Sequence, residues 1–106
     1  MKYPTELQLL EFFVVEPDVQ EDVTAFTVSD ESGLTLTISF NTSDDSLQTT
    51  LQLAGRVVAR VCHEGMGRLW IDDGILKAEF LHENVRVIAT ITCYPSINVE
   101  WNGLIN

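Results

Sequence analysis

Cys62-His63-Glu64 is the one place in this chain where a nucleophile, a base and a carboxylate follow one another. The segment Val57 to His63 reads as a strand, and adjacent side chains on a strand point to opposite faces. Cys62 and His63 are therefore poorly placed to share the hydrogen bond that a nucleophile and its base require. His82 stands beside Glu83 at an expected turn and reads as a solvated loop histidine. Two histidines and two cysteines without CxxC or HxxxH spacing argue against a zinc site. Asp44-Asp45 and Asp72-Asp73-Gly74 lack the alternating oxygen ligands of a calcium loop and read as turns. Gly65-Met66-Gly67 follows a strand-like segment with no helix after it, so it reads as a flexible hairpin loop and not as a phosphate cradle. No catalytic, cofactor-binding or metal-binding residue is expected, and a small enzyme remains only as a site assembled in space from distant residues.

The elements that would position any site must come from a short chain. With 106 residues there is room for one domain, spanning 1–106, with one core. A hydrophobic content of 45% with only 3 prolines and 6 glycines is the profile of a folded protein. The opening Met1-Lys2-Tyr3-Pro4 is followed by neither a signal-type apolar segment nor an apolar run long enough to span a bilayer, so a cytoplasmic protein without membrane contact is expected. In that compartment Cys62 and Cys93 stay reduced and read as small core residues, a disulfide between them being the minor alternative.

Net charge is the most informative global property. Sixteen acidic residues stand against six basic ones, for a formal charge of -10. Such a surface disfavours nucleic acid as a direct ligand, because binding it requires Lys and Arg to displace counterions. Residues 1–55 contain ten acidic residues and one basic one, a balance of -9, whereas residues 56–106 contain six and five, a balance of -1. The asymmetry predicts an acidic face able to steer a basic partner, or else acidic loops that keep a β protein soluble.

Tyr3 to Phe13 reads as a helix. Pro4 suits its start, Thr5 and Gln8 have capping-box spacing, and Leu7, Leu10 and Val14 recur on one face that Leu9 and Phe13 extend. The helix ends before Pro17. After the acidic stretch Glu16 to Asp22 the period changes to two: Leu34 to Phe40, Val85 to Cys93 and Ile97 to Trp101 alternate as strands, with weaker candidates at 23–28, 47–53, 57–63, 69–71 and 75–81. Turn residues separate them all, and no crossover is long enough for parallel pairing. The fold class expected is mainly β (α+β), a short N-terminal helix followed by an antiparallel β-meander of about 7–8 strands, arranged as a curved sheet or a sandwich. A two-residue turn at Asp73-Gly74 would pair Ile71 with Leu76, Trp70 with Lys77, Leu69 with Ala78 and Arg68 with Glu79. Trp70 beside Lys77 and Arg68 beside Glu79 then read as a cation-aromatic pair and an ion pair on a solvated face. Trp70 is thus a candidate exposed contact residue, the alternative being a core residue facing the helix.

The run Pro4-Thr5-Glu6-Leu7-Gln8-Leu9-Leu10-Glu11-Phe12-Phe13, with Val15-Glu16-Pro17 after it, together with the acidic balance, the length and the helix leading into a meander, resembles bacterial immunity proteins of contact-dependent growth inhibition and related polymorphic-toxin systems. The wording of the resemblance covers the first seventeen residues. It implies a cytoplasmic protein that binds a cognate toxin domain, commonly a basic nuclease, and occludes its active site, present as a monomer or weak dimer. The alternatives are an acidic nucleic-acid mimic and a small adaptor domain. In a simple meander the loops alternate between two ends, so the segment holding Asp18, Glu21 and Asp22 would share an end with Asp44 and Asp45, and the loops holding Glu64 and Glu83 would fall there too. These seven carboxylates, opposed nearby only by Arg68, are with Trp70 the expected partner-binding residues.

Overall fold

Alternating apolar side chains need a second apolar layer to bury them, and this chain supplies both layers itself. The computed structural model describes residues 3–105. Helix α1 (Glu6–Phe13) is followed by β1 (Asp18–Gln20), β2 (Val23–Ser29), β3 (Leu34–Asn41), β4 (Ser46–Leu53) and β5 (Arg56–His63), then by β6 (Met66–Asp72), β7 (Ile75–His82), β8 (Val85–Thr92) and β9 (Asn98–Ile105). The first five strands form sheet A and the last four sheet B, each antiparallel and in chain order. The meander expected from the alternation is therefore present, folded once between β5 and β6 into a sandwich. The strand not foreseen is β1, which lies inside the acidic stretch. Its three residues are all exposed and carry no alternation that could mark them.

Pairing register assigns every side chain of sheet A to a face. Phe26, Ile38, Thr49 and Val61 form one inward row, flanked by Val28, Leu36, Leu51 and Ala59 and by Thr24, Phe40, Leu47 and His63. The rows between them point outward: Thr27, Thr37, Thr50 and Arg60; Asp18, Ala25, Ser39, Gln48 and Cys62; and Ser29, Thr35, Gln52 and Val57. A bulge at Val58 shifts the pairing of β5 between Leu51 and Gln52 of β4. In sheet B the Asp73-Gly74 turn has φ of 51° and 76°, both left-handed as a two-residue hairpin of this type requires. The register is the one the turn predicts, with Trp70 opposite Lys77 and Arg68 opposite Glu79. Leu69, Leu76, Ala78 and Phe80 are buried on its inner face.

One apolar cluster joins the inner faces of both sheets and the helix. Polar ties cross it as well. The Trp101 indole donates to Thr49 Oγ1 at 3.2 Å, and the Ile97 amide donates to Asp30 Oδ2 at 2.9 Å. The other oxygen of Asp30 accepts from the Ser32 hydroxyl and from the amides of Ser32 and Leu34. Asp30 thus fixes the β2–β3 turn and ties it to the β8–β9 connection. Among the described residues no buried side-chain nitrogen or oxygen lacks a partner.

The helix is set by its ends. Thr5 Oγ1 accepts from the Gln8 amide while Gln8 Oε1 accepts from the Thr5 amide, a complete capping box. Val14, at φ 60°, turns the chain out of the helix and returns its amide to Leu10. The buried side chains are Leu9 and Phe13, four residues apart, and not the expected Leu7 and Val14, which are 64% and 67% exposed. The stacking partner decides the face: the Phe13 ring lies 4.4 Å from that of Phe26 and nearly parallel to it, and Tyr94 Oη donates to the Phe13 carbonyl. Cys93 is buried, and burial pushes its thiol up to about 11. Cys62, expected in the core, is exposed on the outer face of sheet A, because His63 takes the inward position beside it; both thiols are free.

Two measurements check this packing. Phe13→Ala lowers unfolding free energy by about 3–5 kcal/mol in urea titration, whereas Leu7→Ala changes it by less than about 0.5 kcal/mol. Hydrogen bonds from the Ser32 hydroxyl and then the Ile97 amide hold the Asp30 carboxyl below its ordinary 3.8. A depressed carboxyl stabilises the fold above the unfolded value and loses that contribution as pH falls through the folded one. Asp30→Asn is therefore less stable than the parent at neutral pH, and the difference narrows below pH 3.8.

Candidate functional site

In an antiparallel meander each hairpin turn lies at one end or the other, and backbone contacts show which turns meet. The β1–β2 turn holds Glu21 and Asp22, and the Asp22 carbonyl accepts from the Thr42 amide at 3.0 Å in the β3–β4 turn. In that second turn, which also holds Asp44 and Asp45, the Asp45 carbonyl accepts from the Met66 amide at 2.8 Å, just beyond the Glu64-Gly65 connection. Gly65 in turn lies against the Leu81 carbonyl, two residues before Glu83 in the β7–β8 turn. Four turns are linked in sequence at one end of the sandwich, and they bring together Glu21, Asp22, Asp44, Asp45, Glu64 and Glu83. Glu21, Asp45 and Glu83 have positive φ of 51–56°, the left-handed backbone that turns the chain at those points.

Asp18 is not drawn into this group. It opens β1, opposite Ala25, and points from the outer face of sheet A. Trp70 lies on the outer face of sheet B, half-buried, and its ring borders a shallow hollow shared with Tyr3, Pro4, Gln8, Leu69 and Ile71. It is neither freely exposed nor part of the core. Arg68, not Lys77, covers it, with the guanidinium carbon 4.0 Å from the ring centre. Lys77 reaches instead to Asp72 at 3.2 Å, and Glu79 pairs with Arg86 and not with Arg68. In both cases the diagonal or neighbouring strand offers a closer partner than the residue directly opposite.

The six clustered carboxylates have no basic partner among the described residues. Asp45 alone is engaged: Tyr3 Oη donates to its Oδ1 at 2.6 Å. Burial of the phenol, then this hydrogen bond and the charges of Asp45 and Asp44, hold the Tyr3 hydroxyl well above the usual tyrosine range. The bond also pins the residues ahead of α1 to the β3–β4 turn. Neither sequence pattern nor turn chemistry signals Tyr3 in this role, since it lies 42 residues from its partner.

The catalytic-looking triplet is taken apart by the fold. Cys62 faces outward and is exposed, while His63 points inward with its ring 5.5 Å from Phe80 and 5.1 Å from Trp101. The loop Gly65-Met66-Gly67 is not a flexible loop: Met66 is buried and begins β6, and Gly67 is the bulge in β6 at which its register against β7 shifts, beside the Glu79 carbonyl. Among the described residues no grouping of three or more His, Cys, Asp and Glu could hold a metal ion, and no helix is long and apolar enough to cross a membrane.

No protein-family model matches the chain, and no curated protein matches it either. A chain from the solved contact-dependent growth inhibition toxin–immunity protein complex of Klebsiella pneumoniae 342 has the same fold, with a TM-score of 0.87 over 97% of this chain and 96% of that chain at 21% identity. The resemblance noted in the opening residues thus has a counterpart in the fold of nearly the whole chain.

The Tyr3–Asp45 bond has a direct optical readout. In an alkaline absorbance titration one tyrosine ionises above the ordinary range, and Asp45→Asn brings that ionisation down. Because the folded phenol holds its proton longer than the unfolded one, stability falls as pH rises above 10, the ordinary tyrosine value.

Proposed function

We propose that this chain is an immunity protein that binds a cognate toxin and covers its active site with the acidic end of the sandwich. The observation that carries this reading is the group of carboxylates, Glu21, Asp22, Asp44, Asp45, Glu64 and Glu83, gathered from four turns and without basic partners among the described residues, on a fold shared with a chain of a toxin–immunity complex. Like charges at one end lower folding stability through mutual repulsion, and a basic partner relieves that repulsion when it docks. A nuclease groove has the required chemistry, because it is built to receive phosphates and accepts carboxylates in their place.

The role of inhibitor suits the chain better than that of toxin. Its only adjacent nucleophile and base, Cys62 and His63, point to opposite faces, and the His63 ring packs against Phe80 and Trp101. Trp70 with Arg68, beside the hollow at Tyr3, supplies a flanking contact on sheet B. The working form is a cytoplasmic single-domain protein, where it meets a toxin that has entered the cell.

The experiment is association kinetics with the toxin-like product of the adjacent reading frame, measured across salt concentrations. Replacing Glu21, Asp22, Asp44 and Glu64 by Gln or Asn leaves the Tyr3–Asp45 tie intact. The variant is expected to associate roughly ten-fold or more slowly at low salt, with a shallower salt dependence. Unchanged kinetics would move the interface to the Trp70 face. Absence of binding by the unsubstituted protein would refute the immunity reading.

A further inference from the structure

Sheet A has an outer face unlike the rest of this acidic surface. Across its paired outward rows the only acidic or basic residues are Asp18 on β1 and Arg60 on β5, the two edge strands. Between them lies a field of hydroxyls, amides and small apolar side chains, and most of its threonine and serine hydroxyls are already hydrogen-bonded within the face. Thr27 and Thr37 share a hydrogen bond at 3.1 Å, Ser29 and Thr35 one at 2.8 Å, and Arg60 Nε donates to Thr50 Oγ1 at 3.4 Å. Covering such a face orphans few polar groups, so its desolvation costs little. In a chain of charge -10 it is also a face on which a second copy meets little repulsion.

We infer that the outer face of sheet A is a self-complementary surface through which two copies of this chain pair about a two-fold axis running along β3. The middle strand of a five-stranded sheet lies on such an axis, so β1 of one copy packs over β5 of the other. Asp18 then faces the partner copy's basic edge and Arg60 its acidic one, giving two equivalent charge pairs around a neutral centre. The rows of Asp18 and Arg60 are neighbours along the strands, roughly 7 Å apart, a step that an arginine side chain spans. A two-fold axis across the strands would instead place Asp18 over Asp18 and Arg60 over Arg60. Four strands with three or four outward residues each and the short β1 with two offer a plane of roughly 500 Å² per copy, so the pair reaches about the 1,000 Å² that a specific interface requires. The acidic end stays free, so pairing and toxin binding are independent.

Sedimentation velocity of the purified full chain from micromolar to millimolar concentration tests the inference. A reversible dimer is expected. Thr37→Arg on the axis and Thr27→Arg beside it, each checked for unchanged urea midpoint, shift the chain to monomer. Asp18→Arg and Arg60→Asp each raise the dimer dissociation constant about ten-fold, because symmetry places every substitution in the interface twice, and the two combined restore it. A monomer at every concentration, a dimer indifferent to either arginine, or a charge swap that fails to rescue would each overturn the proposal.

Discussion

Everything at the acidic end depends on one short connection. Glu64-Gly65 joins the last strand of sheet A to the first of sheet B, and two residues cannot carry a chain far from the end at which β5 finishes. The two sheets must therefore meet there. Gly65 has φ 78° and lies against the Leu81 carbonyl, where the backbone of β7 passes. Met66 drops straight into the core, and its amide closes onto the β3–β4 turn. His63, the last residue before the connection, is drawn inward against rings from β7 and β9. The same constraint that folds the meander in two also draws four turns together.

Apolar burial then holds the two layers at this end and the other. Leu36, Ile38, Leu47, Leu76, Ala89 and Ile91 are wholly inaccessible, and Phe13 adds the helix to them through its stack on Phe26. Polar ties orient that burial at the margins: Trp101 to Thr49 near the middle, Asp30 to Ile97 at one end, Tyr3 to Asp45 at the other. The helix is consequently fastened at both ends, by Tyr3 before it and by the Tyr94 contact to Phe13 after it. Since Asp45 belongs to the acidic end, a substitution there alters helix docking as well as charge.

What could be read beforehand follows from locality. The capping box at Thr5 and Gln8, the alternation of β3, β8 and β9, and the Asp73-Gly74 register depend on neighbours a few residues apart, and the strongest of these signals gives the pairing of β6 with β7 from Asp72 back to Arg68, where a bulge at Gly67 shifts it. Strand β1 carries no periodic signal, because both of its faces are solvated. The buried helix face is narrower than the one expected, because Leu7 and Val14 fit a helical period as well as Leu9 and Phe13 do. Only the position of Phe26, on a distant strand, decides between them. Side-chain partners on sheet B were misassigned for a similar reason: register gives the residue opposite, whereas Arg68, Lys77 and Glu79 reach diagonally or along the strand to better partners. Loop alternation anticipated the gathering of the acidic turns, except that Asp18, a strand residue, remains on the sheet face.

A surface of carboxylates assembled by topology, with its one engaged member tied to the helix, accounts for a chain that carries most of its negative charge in its first half and little recognisable chemistry anywhere. The central claim is that this end contacts a basic toxin. Backbone hydrogen exchange of the chain with and without that toxin tests it most directly. Slowed exchange confined to Glu21-Asp22, Thr42 to Asp45, Glu64-Gly65 and Glu83-Asn84 is the predicted result, and protection elsewhere with these four turns unchanged would contradict it.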